Sequence, residues 1–207
     1  GHLHKGRLSD PDSAVAQFRN VLQLVPGDED ALSALETIHL SRNDLEALEE
    51  VLRARADHFQ DAEIVRISLQ ELGKLYEEVL FDSEGAANTD RELLDLDPND
   101  DTPLEDLERV LLVAGAHARL AEALEDLLPL MEPVEPNRRW RFRLASLYRH
   151  ELSDPHATVD HLRVLIDEDG PQREEAIALL EAMFETGEAM SPVATLLATV
   201  YEGRGDD

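Results

Sequence analysis

The sequence contains no cysteine among its 207 residues, and aromatic residues make up only 4% of it. The absence of cysteine excludes disulfides, thiolate metal sites and cysteine nucleophiles from this chain. Because aromatic side chains are scarce, the core must consist mainly of Leu, Ala and Val. Leu and Ala favour helices, whereas the residue types that favour strands are few. The composition therefore predicts a helical protein.

Long apolar runs and positive charges are also scarce. No stretch approaches the roughly 18 apolar residues of a membrane-spanning helix, and no segment has the pattern of a signal peptide. The formal net charge is −27, and the only lysines are Lys5 and Lys74. Such a surface repels phosphate backbones and anionic lipids. We therefore expect no nucleic-acid binding and no membrane insertion. We also expect a cytoplasmic location, although the absence of cysteine suits either redox environment.

The negative charge itself has two explanations. A basic partner is one, and plain solubility is the other. Solubility is favoured, because acidic residues commonly fill the exposed faces of helices.

The chain repeats with a period of 72 residues. Turn-like stretches start at Leu8, Leu80 and Leu152, and the residues that follow align without a gap. The aligned triplets include Arg19, Arg91 and Arg163; Pro26, Pro98 and Gly170; Leu35, Leu107 and Leu179; Asn43, Gly115 and Gly187; and Leu52, Leu124 and Leu196. A fixed period of this kind is the signature of repeat architectures, in which each unit buries its apolar face on a neighbour.

Each copy contains four helical segments joined by short loops, which favour antiparallel neighbours. In the second copy the apolar periodicity predicts helices at Ala62–Leu80, Glu84–Leu96, about 103–115 and about 117–130. Gly115 suits a left-handed helix end. Near the end of the chain, Ser191 followed by Pro192 predicts the start of the last helix.

The motif Leu72-Gly73-Lys74-Leu75-Tyr76, followed by Ala86, Leu93 and Leu96-Asp97-Pro98, resembles the tetratricopeptide repeat. Half of the period, about 36 residues, is close to the 34 residues of that repeat. Two features depart from the family pattern: the spacing from Tyr76 to Ala86 is one residue longer, and Asp90 replaces a bulky apolar residue. The alternate hairpins, at about 30–57, 102–131 and 172–202, keep only the helical periodicity.

The resemblance implies an all-α fold, a right-handed α-solenoid of antiparallel helix pairs. We expect three 72-residue units of four helices, at about residues 1–60, 61–132 and 133–207. The first helix is shortened to Gly1–Arg7, so we interpret the chain as a fragment of a longer array or as an array that dimerises through its ends. The apolar faces beside Leu3 and Val200 are the expected dimer contacts. The resemblance is to bacterial multi-repeat scaffolds.

For function, the resemblance implies a protein-interaction scaffold that holds a partner's peptide or helix in a concave groove. The alternative is an architectural spacer or self-assembling segment. The groove positions carried over from the family are Ile67, Gln70, Lys74, Glu77, Glu78, Thr102, Glu105, Arg109, Leu112, Arg139, Phe142, Ser146, Arg149 and His150. These residues predict a groove that is acidic towards its middle and basic at Arg139 and Arg149. The Lys and Asn set of chaperone-binding members is absent.

The segment Arg138–Arg143 concentrates four arginines around Trp140 in a very acidic chain. One interpretation is an anchor for an acidic partner, because Arg and Trp are typical of binding hot spots. The other, which we favour, places Trp140 in the core while the arginines bridge carboxylates on adjacent helices.

No residue pattern supports catalysis or a bound cofactor. The sequence has no Gly-x-Ser-x-Gly and no Gly-rich phosphate loop. His150, His156 and His161 form the only histidine cluster, but metal ligands on one helix face need i, i+4 spacing, which His156 and His161 lack. We interpret them as surface residues, and we expect no enzyme activity, no cofactor and no metal.

Overall fold

The computed structural model describes residues 11–132, 134–168 and 170–204, which form eleven α-helices. They belong to two compact units that divide between Leu96 and Asp97. The N-terminal unit contains α1 (Pro11–Leu24), α2 (Glu29–Arg42), α3 (Leu45–His58), α4 (Ala62–Lys74), a π-helical continuation of α4 (Leu75–Leu80), and α5 (Ser83–Leu96). The C-terminal unit contains α6 (Asp101–Val113), α7 (His117–Leu127), a 3₁₀ turn (Leu128–Leu130), α8 (Val134–His150), α9 (Pro155–Asp167), α10 (Gln172–Thr186) and α11 (Met190–Arg204).

Successive helices pack against each other within each unit, as antiparallel neighbours. In the N-terminal unit, Leu32, Leu35 and Val51 form a buried cluster between α2 and α3, and Phe18 of α1 packs against it. In the C-terminal unit the core extends over α8–α11. Leucine and alanine supply most of both cores, as the composition predicts.

Local backbone features recur with the period of the sequence. Helices α1, α5 and α9 begin at residues 11, 83 and 155, and α3 and α7 begin at residues 45 and 117. Asn43, Gly115 and Gly187 all have φ between 53° and 79°, so the predicted left-handed helix end at Gly115 is confirmed. The carboxylates of Asp28 and Asp100 both cap the helix that follows, which satisfies backbone N–H groups of the first turn.

These recurrences support the helix assignments made from the sequence. The division into three units and the handedness of the solenoid stay predictions. The shortened first helix, Gly1–Arg7, lies outside the described residues.

Two helix predictions need correction. The helix predicted at Ala62–Leu80 is α-helical only to Lys74 and continues as a π-helix. The last helix begins at Met190, not at Ser191, because the carbonyl of Ala189 already accepts the first helical hydrogen bond from Val193 N, at 3.1 Å. Within the described part of the chain, no helix has both the length and the hydropathy needed to span a membrane.

Candidate binding grooves

The C-terminal unit contains a cavity of about 530 Å³ between α6, α7, α8 and α10. We call it the second groove. Its lining includes the leucines Leu112, Leu120, Leu124 and Leu147, the aromatic Phe142, and the polar residues Glu108, Arg139, Arg143, Ser146, His150, Glu151, Gln172 and Glu175. Four of the predicted groove residues on α8 therefore line one cavity: Arg139, Phe142, Ser146 and His150.

The N-terminal unit contains a smaller cavity of about 350 Å³ between α2, α3, α4 and the π-helical segment. We call it the first groove. Its lining consists of Glu36, Leu40, Leu45, Leu48, Leu52, Glu71, Lys74, Leu75, Glu78 and Val79. Of the residues predicted for this part of the chain, Lys74 and Glu78 line the groove.

The two grooves occupy equivalent positions of the repeat. Every lining residue of the first groove except Leu45 has its counterpart, 72 residues later, in the lining of the second. Four counterparts are leucine in both grooves, namely Leu40 and Leu112, Leu48 and Leu120, Leu52 and Leu124, and Leu75 and Leu147. The polar positions differ, because Glu71, Lys74 and Glu78 are replaced by Arg143, Ser146 and His150.

Two arginines line the α8 wall of the second groove, and each is paired with a carboxylate of α6. Arg139 Nη2 lies 2.7 Å from Asp101 Oδ1, and Arg143 Nη1 donates to Glu108 Oε2. Both arginine side chains nevertheless remain 44% exposed. Burial raises the pKa of Glu108, and the adjacent Arg143 opposes that shift.

Trp140 supports these two arginines from the core. It is fully buried, and its indole N–H donates to Asp101 Oδ1 at 3.1 Å. The guanidinium carbons of Arg143 and Arg139 lie 4.8 and 5.6 Å from the centre of its ring, within cation–π range. As the favoured interpretation expects, Trp140 lies in the core and Arg139 and Arg143 bridge carboxylates of α6, whereas Arg141 contacts Asn137 of its own helix.

The first groove has a different arrangement of charge. Arg55 Nη1 donates to Glu36 Oε2 at 2.6 Å, so an arginine of α3 neutralises this carboxylate. Burial raises the pKa of Glu71, the nearby Glu36 raises it further, and Arg55 and Lys74 oppose the shift. Within the described ranges, the structure shows no side-chain hydrogen bond or ion pair for Glu78.

Leu112 of α6, also predicted, lines the second groove. The other predicted groove residues lie outside both cavities. Arg149 turns towards the loop after α10, where its Nε and Nη2 lie 3.2 and 3.0 Å from the two carboxylate oxygens of Glu188. Arg109 pairs with Asp106 of its own helix, at 2.7 Å. Gln70 is exposed and Glu77 half-buried, and neither lines the first groove.

Sequence reasoning missed a buried cation in the C-terminal unit. The side chain of Arg138 is only 2% exposed, and its Nη2 donates to the carbonyls of Leu165 and Glu168, at 3.1 and 2.7 Å. The guanidinium fills the space beside Gly170, where a Cβ would lie 2.2 Å from its Cζ. Gly170 stands where the other two copies of the repeat have Pro26 and Pro98. This difference is the feature of the sequence that indicates the contact.

The interpretation of the histidine cluster as surface residues is wrong for His161. This ring is 8% exposed, stacks on Tyr148 with centroids 5.5 Å apart, and lies 2.9 Å from Glu125 Oε1. Burial and the hydrogen bond to Glu125 raise the pKa of Tyr148 to about 12. In the described ranges, no group of three or more His, Cys, Asp and Glu side chains could hold a metal ion.

The expected dimer contacts stay untested. Val200 itself is 3% exposed and belongs to the core of the C-terminal unit. Leu3 lies outside the described residues. Dimerisation stays a prediction.

No protein-family model and no curated protein matches the chain. Solved structures that match most of it include the MamA RS-1 ArsTM double mutant, which is 20% identical with a TM-score of 0.42 over 94% of this chain and 97% of its own. Human IFIT1, in a dimer with PPP-AAAA, is 15% identical with a TM-score of 0.47 over 97% of this chain and 52% of its own. A tetratricopeptide repeat protein from Parabacteroides merdae ATCC 43184 is 18% identical with a TM-score of 0.36 over 95% and 81%.

The last of these neighbours is named as a tetratricopeptide repeat protein, the family that the sequence motif resembles. Their TM-scores are below 0.5 and their identities at most 20%. The similarity identifies no partner for this chain.

Proposed function

We propose that this protein is an interaction scaffold that binds a helical segment of a protein partner in the second groove. One observation carries the proposal. Leu112 and Phe142 stay partly open to solvent in one cavity with Arg139 and Arg143, whose other apolar lining residues, Leu120, Leu124 and Leu147, are buried. An apolar cavity with a few polar groups at its rim is the usual form of a recognition site.

The rim indicates what the bound segment carries. Arg139 uses Nη2 for Asp101 and Glu105, and Arg143 uses Nη1 for Glu108. Each guanidinium has five N–H donors, so most of the donors of both side chains remain for a ligand. Arginine also pairs with carboxylates in a two-pronged geometry. The segment therefore places apolar side chains over Leu112 and Phe142 and a carboxylate against the two arginines.

Glu151, directly after α8, and Glu175 of α10 also line the groove. The charge of the groove is therefore uneven, with guanidiniums on the α8 wall and carboxylates elsewhere. Uneven rim charge selects one orientation of a bound helix more than it adds affinity, because rim pairs are solvated. The proposal accordingly assigns most of the affinity to Leu112 and Phe142.

The test uses a fluorescent leucine-rich helical peptide with glutamates on its flanks, measured by anisotropy. We expect it to bind the wild type and to bind Phe142→Gln about 10-fold and Arg139→Ile about 5-fold more weakly, in line with losses at interface hot spots. These substitutions introduce the residues of the equivalent N-terminal positions, Gln70 and Ile67, which the fold accepts there.

Arg163→Ile is the matched control, since it makes the same exchange at an exposed position of α9 outside the groove. It should bind the peptide as the wild type does. Equal binding by all four proteins, or no binding by the wild type, would refute the assignment of the second groove.

A further inference from the structure

The first groove has the same leucines as the second but the opposite charge at its central rim position. We propose that it binds a cationic amphipathic helix of a protein partner, whose Arg or Lys side chains meet the carboxylates of Glu71 and Glu78. This site is distinct from the second groove, and its test uses a different ligand and different variants.

The apolar part of the site is open to solvent. Leu40 is 57% exposed and Val79 is 43% exposed, whereas Leu48, Leu52 and Leu75 below them are at most 7% exposed. A helix that lies in such a groove buries a stripe of apolar side chains spaced at i, i+3, i+4 and i+7. Leu48, Leu52 and Leu75 therefore form a buried apolar floor, and Leu40 and Val79 are the exposed apolar residues that a bound helix would cover.

The first groove has a carboxylate, Glu71, at the position where the second groove has the cation Arg143. In the second groove Arg143 pairs with Glu108. The equivalent residues of the first groove are Glu71 and Glu36, two carboxylates. Arg55, which lies outside the lining, pairs with Glu36 at 2.6 Å. Among the described residues that line the groove, Lys74 is the only cation beside Glu71 and Glu78.

The titration of Glu71 agrees with this arrangement. Burial and the adjacent Glu36 raise the pKa of Glu71 despite the opposing effect of Arg55 and Lys74. A carboxylate with a raised pKa is one whose charged form is incompletely stabilised. A guanidinium or ammonium group from a bound helix would stabilise that form. The net charge of −27 further attracts a basic segment towards the protein.

The test compares three fluorescent peptides by anisotropy near physiological salt, where long-range attraction is screened within about 8 Å. The first is a leucine-rich helix with arginine flanks, the second has glutamate flanks, and the third keeps the arginines but replaces the leucines with serine. We expect the first peptide to bind and the other two to bind this groove at least about 10-fold more weakly, because both the leucine stripe and the arginines are required.

Variants then locate the binding. Glu71→Arg should weaken the arginine peptide at least about 10-fold, since it recreates the Glu–Arg pair of the second groove and adds repulsion. It should fold, because Arg143 occupies the equivalent position. Glu78→Arg should weaken binding several-fold. Asp95→Arg, an exposed change of equal charge on α5, should weaken it less than about 2-fold.

Three outcomes overturn the proposal: the arginine peptide does not bind, Glu71→Arg and Asp95→Arg weaken it equally, or the serine peptide binds as well as the leucine peptide. The second and third would assign the binding to general surface charge. Phe142→Gln should leave the arginine peptide unaffected. This variant therefore separates a failure here from a failure of the second groove.

Discussion

The first and second grooves are built on the same leucines and differ in the charged side chains around them. Leu40 and Leu112 occupy equivalent positions, and both are at least 40% exposed. Glu71 and Arg143 also occupy equivalent positions. Glu71 adds a negative charge to the first groove, whereas Arg143 neutralises Glu108 in the second groove. The repeat therefore preserves the apolar shape of the site and varies its electrostatics, the property that most often sets specificity.

Outside the grooves, some arginines of the two units differ in how deeply their side chains are buried. In the C-terminal unit Arg138 and Arg149 are largely buried and join elements far apart in sequence. In the N-terminal unit Arg19 and Arg66 are about half-exposed. Buried charge pairs strongly destabilise a protein when one partner is removed, whereas exposed pairs contribute little. Substitutions of Arg138 and Arg149 should therefore cost more stability than substitutions of Arg66 and Arg19.

The largest difference should come from Arg138 and its equivalent, Arg66. Arg138→Met should lower the free energy of unfolding by about 3 kcal/mol, because two carbonyls at the end of α9 lose a buried charged donor. Arg66→Met should change it by less than about 0.5 kcal/mol, since Arg66 only pairs with Glu63 at the surface. Urea unfolding of both variants measures the difference. Similar losses in the two would contradict the burial of Arg138.

A smaller difference should separate Arg149 from Arg19. Arg149→Gln should cost about 1–2 kcal/mol, because it removes a two-pronged charged hydrogen bond to Glu188. Arg19→Gln removes only an exposed pair with Glu50 at 3.3 Å and should cost less than about 0.5 kcal/mol. Chemical denaturation at pH 7 provides the comparison.

The pH dependence of Arg149→Gln adds a second readout. The hydrogen bond from Arg149 lowers the pKa of Glu188. The stability that Glu188 contributes is therefore present above its unfolded pKa of about 4.3 and is lost as the pH falls through the lower folded value. The wild type should lose more stability than Arg149→Gln over that acid range. Parallel curves would show that Arg149 does not hold Glu188.

The features that the sequence predicted are those that depend on residues close together in the chain. The apolar periodicity placed α4 and α5, and the aligned residues Asn43, Gly115 and Gly187 marked helix ends that the structure confirms. The leucines of both grooves follow from the same periodicity. A helical stripe is a property of a short segment, so it can be recognised before the fold is known.

The features that the sequence did not predict depend on distant partners. Arg138 meets Leu165 after 27 residues, and Arg149 meets Glu188 after 39. Arg149 was assigned to the groove because of its position in the motif, yet its side chain turns to the loop after α10. His161 was interpreted as exposed because nothing in its own helix indicates Glu125. Charged side chains are long, so a register position alone does not fix what they contact.

The smallest expected effect tests the opposite charges of the two grooves directly. Because partial burial and Glu36 raise the pKa of Glu71, its carboxyl is protonated more easily in the folded state than in the unfolded state. The corresponding stability is present below the unfolded pKa of about 4.3 and is lost as the pH rises through the raised folded value. At pH 7 Glu71→Gln should therefore stabilise the protein by a few tenths of a kcal/mol, a small effect because the side chain is exposed.

The equivalent change in the second groove should have the opposite sign. Arg143→Gln removes the pair with Glu108 and the contact with the ring of Trp140, so it should destabilise by about 0.5–1 kcal/mol. Urea midpoints of both variants at pH 7 and pH 5 provide the measurement, and the gain from Glu71→Gln should shrink at the lower pH. Two changes of the same sign would contradict the view that equivalent positions carry opposite electrostatic roles. Opposite signs would show that the repeat keeps one backbone site and reverses its charge.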